Sequence, residues 1–189
     1  MNRKKTDMMV KGAMVASLFG ALGVINVYTG TMFDIIFSYV MVVFIVWYTV
    51  KYDYRYALLV TLCTGVILFL VGDLYFTFYS TLTLLLGIFY GYGLIKHKSD
   101  RYIDWGLRLL SAIKNGIVFI LLGGLLGLNA YQDCIEIYQD ILHFIPFVKN
   151  VISPHVAFVL LGMALIWSES YIIRWYSDFF MVRIAKIKS

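Results

Sequence analysis

"FDIIFSYVMVVFIVWYTV", residues 33–50, carries one charged residue, Asp34, in eighteen positions. A helical run of roughly 20 apolar residues spans the hydrocarbon core of a bilayer. Comparable runs recur along the whole chain, which has 189 residues, 61% of them hydrophobic and 14% charged. Soluble domains carry about a quarter charged residues, and the mean hydropathy here is +0.82. The chain therefore reads as an integral membrane protein. Six segments are predicted, at about 10–28, 33–50, 56–72, 76–95, 107–130 and 152–173. The expected fold is all-α: one membrane domain over residues 1–189, built as a six-transmembrane-helix bundle.

The charges between the segments set an expected orientation. Arg3, Lys4, Lys5 and Lys11 precede the first segment, and Lys51 and Arg55 lie between the second and third. Lys96, Lys98, Arg101 and Arg108 lie between the fourth and fifth, and Arg174, Arg183, Lys186 and Lys188 follow the sixth. The alternate junctions hold Asp34, Asp73, Asp133, Glu136 and Asp140, with Lys149 the one base among them. Lys and Arg accumulate on the cytoplasmic side, so both termini are expected in the cytoplasm. The net charge of +5 then reads as a topology signal rather than a nucleic-acid surface. The opening MNRKKTDMMVKGAM lacks a clear small-residue cleavage site and reads as part of a retained first helix. The stretch 131–150 mixes apolar residues with Asp133, Glu136 and Asp140, and is expected to form a short interfacial helix. Pro146 and Pro154 bound the start of the sixth segment.

Small residues mark helix contacts in membranes, because lipid supplies no hydrophobic drive and close backbone approach replaces it. The first segment, "KGAMVASLFGALG" (11–23), has two adjacent small stripes: Gly12, Ala16 and Gly20, and Ala13, Ser17 and Ala21. Gly87 with Gly91, and Gly123 with Gly127, repeat the spacing. Two stripes on one helix allow one internal neighbour and one external partner.

Charge inside the spans is scarce. Lys114 and Glu169 are expected in the cytoplasmic half, as a structural pair, as snorkelling side chains, or in a role in transport or partner contact. The outer half is richer in amides, hydroxyls and aromatic rings. Such groups suit a small, partly planar solute held by apolar walls and a few polar contacts. An aromatic interfacial belt is the competing reading. No HExxH, nucleophile elbow or P-loop occurs in the sequence. Neither Cys63 and Cys134 nor the three histidines make a metal-ligand spacing. The chain is thus expected to be no enzyme, with no metal and no cofactor.

The short length, the six expected spans, the small face of "MVKGAMVASLFG" and the stretch "TLTLLLGIFYGYGLIKHK" together resemble the substrate-binding S components of energy-coupling-factor (ECF) vitamin transporters. The resemblance covers most of the chain. It implies uptake of a vitamin or precursor through an outward-facing cavity. It also implies a transmembrane coupling subunit and two cytoplasmic ATPases as partners, and the plasma membrane as location. The family's Ala-x-x-x-Ala pattern, which contacts the coupling subunit, falls on Ala13 and Ser17, with the Gly12–Ala16 register and Gly20 equally available. Depth and side-chain chemistry nominate Asn26, Tyr28, Tyr75, Tyr79, Asn129, Gln132 and His155 for the solute. The alternatives are a structural or regulatory membrane protein without a solute, and a lipid-modifying membrane enzyme.

Overall fold

The computed structural model describes residues 3–126, 131–132, 135–136, 139–140 and 153–187, and all regular structure among them is helical. Among the described residues six helices have defined bounds, in order: α1 (Arg3–Tyr28), α2 (Asp34–Tyr52), α3 (Tyr54–Val71), α4 (Leu74–Ile95), α5 (Asp100–Leu126) and α6 (Pro154–Ile187). Five of them, α1 to α4 and α6, are long and apolar enough to cross a membrane. Helix α5 has 27 residues, and its first three turns carry Asp100, Arg101, Asp104 and Arg108.

Three helices are longer than their apolar runs. Helix α1 begins at Arg3 rather than near 10, α5 at Asp100 rather than near 107, and α6 continues to Ile187 rather than ending near 173. For α5 and α6 the cause is visible where they meet. Arg174 donates from Nη1 to Asp104 (2.7 Å) and from Nη2 to Asp100 (3.0 Å). Neutralised in this way, the charged turns stay helical instead of breaking into loops.

The contacts fix the direction of each helix pair. Ser38 meets Ser80, Ile45 meets Gly87 and Thr49 meets Gly91, an offset of 42 residues each time. Helices α2 and α4 therefore run parallel and in register. Gly12, Gly20 and Gly23 of α1 meet Val60, Ile67 and Leu68 of α3 in the same order, so this pair is parallel too. Gly93 meets Ile103 while Phe89 meets Gly106, which makes α4 and α5 antiparallel. The bundle thus has a basic end, with Lys51, Arg55, Lys96 and Arg101, and an opposite end formed by the turns at 29–33 and 72–73. Helix α4 is central: 56% of its span is buried, against 22–39% for the other four membrane-length helices.

Tight connections hold this arrangement. At the end of α1, Thr31 N–H returns to Asn26 O (2.9 Å) and Gly30 N–H to Val27 O (3.1 Å), with Gly30 at φ 70°. That is a Schellman cap, whose αL position favours glycine. Helix α4 ends by the same geometry: Lys98 N–H reaches Gly93 O, His97 N–H reaches Leu94 O, and His97 takes the αL position at φ 48°. Asp73 caps the start of α4 by accepting from Phe76 N–H at 2.8 Å.

Candidate functional site

Ser111, Lys114 and Asn115 lie at spacings of three and four residues, so α5 presents all three on one face. Glu169 of α6 faces them. Lys114 Nζ pairs with Glu169 Oε1, and Ser111 Oγ and Asn115 Nδ2 donate to Glu169 Oε2, the latter at 3.0 Å. The Lys114 and Glu169 side chains are each 2% exposed. A charge in such surroundings is costly unless it is paired. Here the carboxylate has partners on both oxygens.

The ammonium has a second neighbour. Lys114 Nζ lies 4.0 Å from the centre of the Tyr79 ring, where the negative face of the ring attracts it. Tyr75, one turn earlier on α4, stacks on Tyr79 with centroids 5.7 Å apart and planes 15° from parallel. Tyr39 of α2 approaches both Tyr79 and Glu169. Four helices thus supply one cluster: two stacked rings, a third phenol, an ion pair, a hydroxyl and an amide.

The cluster lies farther from the basic end than the expected segment ends imply. Lys114 is fourteen residues into α5, about 21 Å along the axis, and Glu169 is eighteen residues from the end of α6, about 27 Å. Tyr79 is five residues, about 7.5 Å, from the start of α4 at the opposite end. The pair therefore lies past the middle of the bundle, toward the turns at 29–33 and 72–73. Segment ends drawn at the first charges concealed this, because those charged turns are helical.

The residues nominated from sequence separate into groups. Tyr75 and Tyr79 are in the cluster. Asn26 is fully buried, and its Nδ2 donates to Asp34 Oδ1 across the α1–α2 turn. Tyr28 is 88% exposed and points out of the bundle. His155 is exposed at the start of α6, hydrogen-bonds through Nδ1 with Tyr131 Oη and stacks on that ring at 5.9 Å. Gln132 is exposed beside Tyr131, and Asn129 lies outside the described residues. No hydrogen bond or ring contact joins Tyr28 or His155 to Tyr79 among the described residues. Lys114, Glu169, Ser111, Asn115 and Tyr39 were not among the nominated solute contacts. The available signal was the spacing 111/114/115 together with a lone acid in the last span.

The two stripes of α1 have different fates. Gly12, Ala16 and Gly20 face into the bundle. A Cβ on Gly12 would come within 2.9 Å of Tyr48 Oη and of Val60 Cγ2, and one on Gly20 within 2.6 Å of Ile67 Cγ2. Internal packing against α2 and α3 takes up this register. Ala13, Ser17 and Ala21 are exposed.

A family model described as "Predicted membrane protein (DUF2232)" matches residues 17–145, more than half of the chain. The chain belongs to that family. No curated protein and no solved structure matches it. Within this DUF2232 protein the matched stretch includes Tyr39, Tyr75, Tyr79, Ser111, Lys114 and Asn115, while Glu169 lies beyond it.

Proposed function

We propose that this membrane protein binds a small solute at the Tyr75–Tyr79–Lys114–Glu169 cluster and acts as the substrate-specificity subunit of an ECF-type importer. The observation that carries the reading is the ion pair beneath a tyrosine stack. Ionisable residues inside a membrane bundle mark solute or ion sites by default. Stacked rings beside a cation, an anion and an amide match a planar micronutrient, a vitamin or precursor, bearing polar groups. Lys114 and Glu169 meet each other in the free protein and exchange that contact for ligand groups on binding.

Two further features support it. The basic junctions favour six spans with both termini in the cytoplasm of a plasma-membrane protein, and with that orientation the cluster would lie toward the extracellular half. Ala13 and Ser17 form an exposed small face suited to a coupling subunit. ATP hydrolysis belongs to two partner ATPases, and this chain performs no covalent chemistry.

The test is a thermal-shift screen of the purified full chain against a panel of vitamins and precursors, paired with affinity purification from native membranes. Stabilisation by one compound class, with a membrane subunit and ATPases recovered, supports the proposal. If no compound shifts the melt and no such partners are recovered, the structural or regulatory reading replaces it, with the ion pair serving only to lock α5 to α6.

A further inference from the structure

The end of the bundle opposite the bases carries more acceptors than donors. Asn26, in the last turn of α1, is 0% exposed, and its Oδ1 has no hydrogen-bond partner among the described residues. Asp73, at the start of α4, has a buried Oδ2 that is also without a partner, while its Oδ1 accepts from Phe76 N–H at 2.8 Å. A buried acceptor without a donor is costly, and more so on a charged carboxylate.

The packing brings these oxygens to a second acid. A Cβ on Gly23 would come within 2.5 Å of Leu68 Cδ2 and 3.7 Å of Phe76 Cε1, so the end of α1 lies against the start of α4. Asn26, one turn on, lies on the same face. Its Nδ2 donates to Asp34 Oδ1, which aims the amide at that carboxylate. Asp34 and Asp73 approach each other, and both approach Tyr75.

The neighbouring hydroxyls serve the main chain of the same three residues and leave the side-chain oxygens bare. Thr29 Oγ1 donates to Asn26 O at 3.0 Å, Ser38 Oγ to Asp34 O at 2.7 Å and Thr77 Oγ1 to Asp73 O at 2.8 Å. Residues 24–36 and 70–78 include no Lys, Arg or His. Among the described residues no base pairs with Asp34 or Asp73. A proton shared by the two carboxyl groups would satisfy one bare oxygen. A cation serves all of them at once.

We propose that Asn26 Oδ1, Asp34 and Asp73 bind a calcium ion at the junction of α1, α2 and α4. All the donors are hard oxygens, and the two carboxylates match a double positive charge better than a single one. Calcium accepts irregular oxygen shells, whereas magnesium demands a near-ideal octahedron and gives up its water reluctantly. Water completes the shell on the exposed side of Asp34. The sequence expectation of no metal rested on cysteine and histidine spacing, which does not bear on a site made of two acids and an amide. The site stands apart from the solute reading, since neither Lys114 nor Glu169 takes part in it.

The experiment measures the melting temperature of the purified full chain in detergent after chelator treatment and dialysis, with calcium chloride as the probe. A site with so few protein ligands should half-saturate at roughly 0.1–1 mM. At about 10 mM calcium the melt should then rise by roughly 3–10 °C. Asp73→Asn keeps an acceptor for the α4 cap, and Asp34→Asn keeps an acceptor for Asn26. Each should lose most of the rise with calcium. No rise in the parent chain, or one matched by magnesium chloride or by sodium chloride of the same ionic strength, overturns the proposal even if the variants fail to fold. So does an undiminished rise in Asp34→Asn and Asp73→Asn.

Discussion

Lys114 of α5 and Glu169 of α6 form an ion pair in which each side chain is 2% exposed. Removing one partner of a buried pair strands the other charge, at a cost of about 3–5 kcal/mol. Lys114→Met and Glu169→Met should each lower the melting temperature of the detergent-solubilised protein sharply. The double variant should recover much of the loss. Additive losses in the double variant would show that the two groups act independently.

The parallel packing of α2 on α4 rests on two glycines. A Cβ on Gly87 would meet Ile45 Cγ2 at 2.7 Å, and one on Gly91 would meet Thr49 Cβ at 2.8 Å. Gly87→Val and Gly91→Val should each destabilise by roughly 1–3 kcal/mol through overpacking. Gly116→Ala on α5, where a Cβ meets nothing within 4 Å, is the control and should melt like the parent. A Gly91 variant that melts like the control would contradict the close approach.

His97 holds the αL position in the cap of α4 that Gly30 holds in the cap of α1. A side chain in that conformation costs about 1 kcal/mol more than glycine. His97→Gly should therefore raise stability by roughly that amount, less the unfolded-state entropy that glycine adds. Gly30→Val should lower it. The pair of melts checks both signs.

The two faces of α1 predict separable defects. Ala16→Trp drives an indole into the buried stripe beside Phe19 and Val15, so folding and solute binding should both fail. Ser17→Trp puts the same bulk on the exposed stripe. It should leave solute binding intact and abolish cellular uptake if Ala13 and Ser17 meet a coupling subunit. Normal uptake by Ser17→Trp removes that face from the proposed interface.

Much of the bundle was legible from apolar runs, because membrane helices need continuous hydrophobicity and little else. The ends of α2, α3 and α4 lie within two residues of those runs. The ends of α1, α5 and α6 were not legible, since their charged turns remain helical through contacts such as Arg174 with Asp100 and Asp104. That one effect also hid the cluster. Starting α5 seven residues late and ending α6 fourteen residues early put Lys114 and Glu169 near the basic end, away from Tyr79. Which α1 stripe is buried was equally hidden, because both stripes consist of small residues. Only the positions of Tyr48, Val60 and Ile67 on neighbouring helices decide it.

The central claim is that the tyrosine stack over the Lys114–Glu169 pair holds a solute. The most direct measurement is mass spectrometry of the small molecules released on denaturing the purified chain, native against Tyr75→Leu. Tyr75 is half-buried, so its loss opens the stack without touching the ion pair. The native protein should release one planar, polar compound in near-stoichiometric amount. Tyr75→Leu, with an unchanged melt in the absence of added solute, should release little or none. A native protein that releases no such compound, and binds none from a growth-medium extract, would contradict the account.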